Sequence, residues 1–390
     1  MPKQHDDNLS AGGNDVNGQP NIPVWDDGVW ESLPALEGDV RCGTCVIGLG
    51  GTGLTAIEEL LDRGEDVVGV DAVDVGAGAA GRNGGFLLAG AYDFYHDAVR
   101  LHGARASRAL YDATLGEIER IRRATPECTH MVGSRRLAAS VEEVQDCREQ
   151  LRVMRADGLA VEWYDGPDGI GLTLPSDGAF NPLARCRTLA LRAIARGARL
   201  FARSTVTSIQ GGRVVTPRGT VHGERVIVAV DGKLEVLLPE LATRVRTARL
   251  QMLATAPTTE RIVPCPMYYR EGYEYWQQLP NGSIALGGFR DRAGPDEWTT
   301  DTIPGEPVQG LLEQFLRETL GVSAAISHRW AASAGYSSNG LPVLEVVRER
   351  VWAAGGYSGT GNVIGALCGR AIVALALDRD VAPARLLRAS

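Results

Sequence analysis

The stretch that decides the fold is "TCVIGLGGTGLTAIEELLDRGEDVVGVDA", residues 44–72. "TCVIGL" is an apolar run of strand type, and Gly48-x-Gly50-x-x-Gly53 follows it directly. "LTAIEELLDRG" then carries Leu54, Ile57, Leu60 and Leu61 at helical spacing and stops at Gly64. "DVVGVDA" reads as a second buried strand, so the unit is strand–helix–strand with a parallel pair. Each glycine has a task in that setting. Gly48 allows the tight turn, Gly50 lets a pyrophosphate approach the backbone, and Gly53 permits close packing of helix on strand. The helix N-terminus, with Gly51 and Leu54 in its first turn, would face the phosphates. Asp71 ends the second strand, where an acidic residue accepts hydrogen bonds from ribose hydroxyls. The pattern predicts a dinucleotide-binding domain.

The next stretch, "AVDVGAGAAGRNGGFLLAG" (72–90), is glycine-rich around Arg82, Asn83 and Gly84. Such a backbone can lie flat against a large planar ligand, which favours a flavin over a nicotinamide. A second glycine-rich loop, "GGYSGTGNV" (355–363), stands far downstream and opens the apolar segment "NVIGALCGRAIVALAL". That segment is short and interrupted by Arg370, so it reads as a buried helix and not a membrane span.

The 390 residues, 44% of them hydrophobic, are enough for more than one domain. A net charge of −8 argues against a general attraction to nucleic acid or anionic membrane. Lysine occurs only at Lys3 and Lys233. The seven cysteines are scattered and odd in number, which suits a reducing cytoplasm, and "RCGTC" (41–45) reads as core packing. No metal site is read. Residues 1–23 read as a disordered tail. Parallel nucleotide-binding material at both ends brackets a mixed middle. The fold class predicted is α/β: a Rossmann-like domain (24–95, 170–240, 340–385) interleaved with an α+β substrate domain (96–169, 241–339). The latter is built on a mainly antiparallel sheet, with "MYYREGYEYWQQLPNGSIALGGF" (267–289) as a hairpin around Pro-Asn-Gly.

"VIGLGGTGL…VDA…GAGAAGRNGGF" followed by "GGYSGTGNV" resembles the D-amino-acid-oxidase-like FAD-dependent oxidoreductases over roughly residues 24–385. "GRNGG" and "HRWAASAGYSSNGLPVLE" are most similar to the gamma-glutamylputrescine-oxidase-like branch. The resemblance implies one non-covalent FAD held at both ends. Gly48, Gly50 and Gly53 would take the pyrophosphate, Asp71 the ribose and Val206 the adenine. Arg82, Asn83 and Gly84 would run toward the isoalloxazine ring. Gly359, Thr360, Gly361 and Asn362 would face its pyrimidine side, where a helix N-terminus stabilises the charge that appears on reduction. Relatives often carry histidine at the position of Thr360.

Two departures bear on the chemistry. The family's carboxylate-clamping arginine corresponds to Ala334, leaving Arg290 as a substitute from another wall. The lysine that promotes reaction with oxygen in sarcosine oxidase corresponds to about Ala285. No second GxGxxG follows a strand between Gly90 and Gly355, so electrons come from an organic substrate. The implied activity is oxidation of an amine or amino acid C–N bond by hydride transfer to flavin N5. The imine then hydrolyses, and oxygen is the acceptor. Tyr275, Arg290, Tyr336 and Thr360 are the catalytic candidates. Three alternatives stay open: a dehydrogenase with another acceptor, a hydroxy-acid oxidase, and a non-catalytic flavin-binding partner protein. The expected location is the cytoplasm.

Overall fold

The structure, a computed structural model, describes residues 20–377 together with Arg385 and Leu387. Two large sheets organise it. In the first, the strand Val40–Ile47 lies between Val67–Val70 and Gly219–Val228, parallel to both. Val67–Val70 is flanked in turn by parallel Arg199–Phe201, and Gly219–Val228 by parallel Val351–Gly355. The stretches 44–47, Val67–Val70 and 226–228 are wholly buried, as a parallel sheet covered on its faces requires. Helices Gly51–Asp62, Pro182–Ala195 and Ile364–Leu377 bury one apolar face on this sheet, in a core containing Val46, Leu54, Leu189, Ile227 and Ile372. Cys42 and Cys45 are buried in the core on the sheet's other side.

The second sheet is antiparallel but for one pair. Its centre is the long pair Val245–Thr255 and Ile326–Ser337, followed by Ile284–Gly287 and Glu274–Gln278. The last two form the hairpin around Pro280-Asn281-Gly282, and Met267–Tyr269 extends it. The α/β fold class with an interleaved, mainly antiparallel second domain is what the chain adopts.

Two expected boundaries move. Gly169–Leu174 pairs with both Ser134–Leu137 and Glu162–Gly166, so a division at 169/170 cuts a hairpin of the substrate sheet. The tail expected over residues 1–23 ends too late. Residues 1–19 lie outside the described residues, but the Asn21 amide donates to Thr302 O at 2.8 Å and its oxygen accepts from Ala331 N–H at 3.1 Å. Polar composition concealed a segment held by side-chain hydrogen bonds. No helix among the described residues is long and apolar enough to cross a membrane.

Asp177 fastens the junction between the domains. It is buried, and it accepts from Ala89 N–H at 2.8 Å and Ser134 Oγ–H at 2.6 Å. Burial pushes its carboxyl up to about 7. A carboxyl raised on folding binds its proton more tightly in the native state. Its contribution to stability is therefore full below the ordinary value of 3.8 and is lost as pH rises through about 7. Wild-type unfolding free energies from urea titrations should fall across that window by up to ~1.4 kcal/mol per pH unit, and those of Asp177→Asn should fall less steeply. Parallel curves for the two proteins would disprove this assignment.

Candidate functional site

The first glycine turn has the geometry its spacing predicts. Gly48 has φ +103°, and a Cβ there would stand 2.8 Å from Ala229 O. A Cβ on Gly53 would meet Gly48 O at 1.8 Å, so only glycine lets the helix approach the strand. Gly50 is the N-cap of helix Gly51–Asp62 and provides no side-chain cap, leaving the leading amides to a ligand. Leu54 has a different role from the one expected. Its side chain is fully buried in the core and its N–H donates to Gly50 O at 2.9 Å, so it has nothing to offer a cofactor.

Asp71 accepts from Leu49 N–H and Val73 N–H, each at 2.9 Å, which fixes its carboxylate against the turn. Burial raises its pKa, and those amide bonds oppose the rise. Asp71 O accepts from Ser204 N–H at 2.8 Å, two residues before Val206. Val206 itself is half-buried against the sheet core.

Arg185 was not anticipated from the sequence. It projects from helix Pro182–Ala195, is 5% exposed, and lies with Nη1 3.4 Å from where a Gly51 Cβ would be. No carboxylate among the described residues forms an ion pair with it, and burial lowers its pKa. A buried guanidinium beside a helix N-terminus places two positive features together, and both are stabilised by an anion. In the sequence it is one arginine of "ARCRTLALRAIAR", with nothing to set it apart.

A cavity of about 800 Å³ opens between the two sheets. Arg82, Asn83, Gly84, Tyr275, Arg290, Tyr336, Gly359, Thr360 and Asn362 all line it, so the "GRNGG" stretch, the second glycine loop and all four catalytic candidates meet in one place. Asn362 ties the two loops together. Its Nδ2 donates to Asn83 Oδ1 at 3.1 Å and to Phe86 O at 2.9 Å. Thr360 Oγ1 donates to Tyr357 O at 2.8 Å, leaving the following amides free. No acceptor for the N–H groups of Gly361, Asn362 or Val363 lies among the described residues. Gly361 faces Tyr357, whose ring would stand 3.1 Å from a Cβ there, and it does not line the cavity.

Arg82 spends its donors within the protein. Its guanidinium donates to Ala331 O at 2.8 Å and Asn21 O at 2.9 Å, and burial lowers its pKa to about 10. Arg290 presents a guanidinium to the cavity. Its guanidinium carbon lies 4.4 Å from the Tyr336 ring centroid and 5.0 Å from that of Trp298. The neighbouring Asp291 is taken by Arg270 at 2.6 Å, and no carboxylate among the described residues pairs with Arg290. Ala332 and Tyr336 line the cavity from strand Ile326–Ser337, with Ala334 between them offering only a methyl. His328 is not part of the lining. His96, Asp97 and Asp146 bring ligand atoms within 4.8 Å of one another, but Asp146 is bound to Arg136 at 2.6 Å.

A dinucleotide turn, a second amide-rich loop and a cavity between a parallel and an antiparallel sheet define a flavin-dependent oxidoreductase. The chain belongs to the DAO family of FAD dependent oxidoreductases, whose model matches residues 44–375. It is 28% identical over 367 residues to gamma-glutamylputrescine oxidoreductase of Escherichia coli strain K12, covering 87% of this chain and 84% of that protein. It is 25% identical to the probable oxidoreductase OrdL of Rhizobium meliloti strain 1021, covering 89% and 86%. Among solved structures it is similar to glycine oxidase from Geobacillus kaustophilus, with a TM-score of 0.71, 20% identity, and 88% of this chain and 97% of that one covered. L-proline dehydrogenase from P. horikoshii superimposes with a TM-score of 0.72 at 18% identity, covering 91% and 99%. The protein is an enzyme of this family and FAD is its cofactor.

Arg185→Met keeps the length and apolar stem of the side chain and removes its charge. It is expected to weaken retention of FAD by about tenfold, near the ~1.5 kcal/mol of one charge-assisted hydrogen bond. Titration of the flavin-free protein with FAD, followed by fluorescence, measures this directly.

Proposed function

We propose that the protein oxidises the C–N bond of an amine or amino acid, with the substrate lying between Arg290 and the two glycine-rich loops. Water and oxygen are consumed, and the carbonyl product, ammonia or a smaller amine, and hydrogen peroxide are released. Bound FAD supplies the two-electron acceptor. The chain's own residues bind, orient and shield the substrate. The observation that carries the reading is Arg290, a guanidinium with no carboxylate partner, stacked on Tyr336 in the same cavity as Gly84 and Asn362. It suits a substrate carboxylate held from just beyond strand Ile284–Gly287 rather than from Ala334. Tyr275 and Tyr336 have their pKa values raised, burial being the first cause of each, so both remain neutral phenols that donate hydrogen bonds. Neither is a base at neutral pH. In this reading the amine binds unprotonated, and the cavity contributes orientation and exclusion of water. In this reading the adenosine half of FAD lies along Gly48–Gly53, Asp71 and Val206, and the ring along Arg82–Gly84 and Gly359–Asn362, without a covalent bond to the protein.

One observation favours a dehydrogenase with another acceptor. Ala285 is fully buried beside Trp25, Met252 and Trp330, so that wall presents no cation to oxygen.

The test is anaerobic mixing of the holoenzyme with panels of amines, amino acids and hydroxy acids, followed by flavin absorbance. Bleaching by an amine-bearing compound is expected, and hydrogen peroxide should form when air is admitted. If hydroxy acids alone bleach the flavin, the C–N reading fails; if air restores no colour, oxygen is not the acceptor. Arg290→Gln should slow reduction by amino acids ~100-fold, matching loss of a bidentate charged pair, and should slow simple amines much less.

A further inference from the structure

Four consecutive carbonyls in the "GRNGG" stretch accept hydrogen bonds from residues remote in sequence. Trp330 Nε1–H donates to Arg82 O at 2.8 Å and Trp25 Nε1–H to Asn83 O at 2.8 Å. The Gln277 amide donates to both Gly84 O and Gly85 O, and Phe180 N–H reaches Gly85 O at 2.9 Å. Every peptide here is trans, so a carbonyl turned one way sends the N–H of the next residue the other. The Gly85 N–H is taken by Asn83 Oδ1 at 2.8 Å. The Gly84 N–H is not taken: no acceptor for it lies among the described residues, and Gly84 lines the cavity. The bond from Trp25 to Asn83 O therefore sets the direction of an unpaired peptide donor at the cavity wall.

Trp25 belongs to neither sheet. It sits on "PNIPVW", an arm stiffened by Pro20 and Pro23 that runs along the seam between the domains. Its ring is 6% exposed and packs with Leu183, Met252 and Trp330. Asn21 anchors the arm by accepting from Arg82 and Ala331 and donating to Thr302. Solvation of a loose polar segment would not place an indole N–H on one carbonyl of a buried loop. Nor does the fold need this bond for sheet pairing, since both sheets are complete without the arm.

We infer that the N-terminal arm is a working part of the flavin site, with Trp25 a positioning residue that aims the Gly84 N–H at an acceptor on the ring. The inference rests on seating the ring beside Gly84. A donor held rigidly toward a group that gains electron density binds the reduced form more tightly than the oxidised one, which raises the reduction potential.

Trp25→Phe keeps the ring and removes the donor. Trp352→Phe is the control, because Trp352 Nε1 is buried without a partner and its loss removes no hydrogen bond. Measured on the holoenzymes, Trp25→Phe should displace the visible flavin bands and lower the ratio of reduced-form to oxidised-form affinity about tenfold, a fall of about 30 mV in potential. Trp352→Phe should leave both unchanged. If Trp25→Phe does not fold, Asn21→Ala releases the arm with the indole intact and should move spectrum and potential in the same direction. Spectrum and potential equal to wild type, whatever the melting temperature, would reduce the arm to a structural strap and overturn the inference. Asn362→Leu separates the two layers of the argument. If it shifts the flavin bands while the arm variants do not, only the arm's role is wrong. If none of them does, the ring is not beside Gly84 and both fall.

Discussion

The carboxylate of Asp231 joins the two halves of the molecule. It stands at the end of strand Gly219–Val228, where it accepts from Tyr357 N–H at 3.0 Å in the second glycine loop and from Gly335 N–H at 3.1 Å in the long substrate-sheet strand. Burial pushes its pKa up to about 6, and the amide bonds hold it down against that burial. Backbones must approach closely for one side chain to reach both. A Cβ on Gly232 would meet Ser333 O at 2.4 Å, and one on Gly335 would meet Asp231 O at the same distance. This contact fixes where the cavity can form and what faces it. Strand Ile326–Ser337 brings Ala332 and Tyr336 to one wall, and the glycine loop brings Gly359, Thr360 and Asn362 to the other.

Those parts whose chemistry is local were legible in the sequence. The first turn could be assigned because Gly48 and Gly53 are each forced by a backbone oxygen under 3 Å from a would-be Cβ. The hairpin was legible because alternation separates Tyr275, which lines the cavity, from Trp276, which packs against Phe315. What escaped were features created by distance in sequence. Arg185 stands out only once helix Pro182–Ala195 lies against the N-terminus of Gly51–Asp62. Asn21 sits in the polar stretch read as a tail and Trp25 just beyond it, and composition carries no trace of a partner 58 or 310 residues away. Leu54 was misassigned for the opposite reason. Adjacency to the glycines suggested contact, but helical periodicity had already committed its side chain to the core.

Charge is distributed in the site with the same economy. Arg82 lies beside the ring-side loops, but its donors are spent on Ala331 and Asn21, so it acts as a brace. Arg270 holds Glu274 and Asp291 at the rim. Arg290 within the cavity and Arg185 beneath the first turn have no carboxylate partner among the described residues, and unlike Arg82 neither has its guanidinium committed to backbone carbonyls.

The cavity wall at residues 82–85 is built from segments that no single domain contains. Residues 82–85 belong to the nucleotide domain, but their carbonyls are held by Gln277 and Trp330 of the substrate sheet and by Trp25 of the arm. Loosening either domain relative to the other would break these bonds before it broke either core, since the cores on each side are separate clusters. The site is therefore the part of the molecule most sensitive to how the domains are seated. The short arm of residues 20–25, along their seam, is well placed to control that seating.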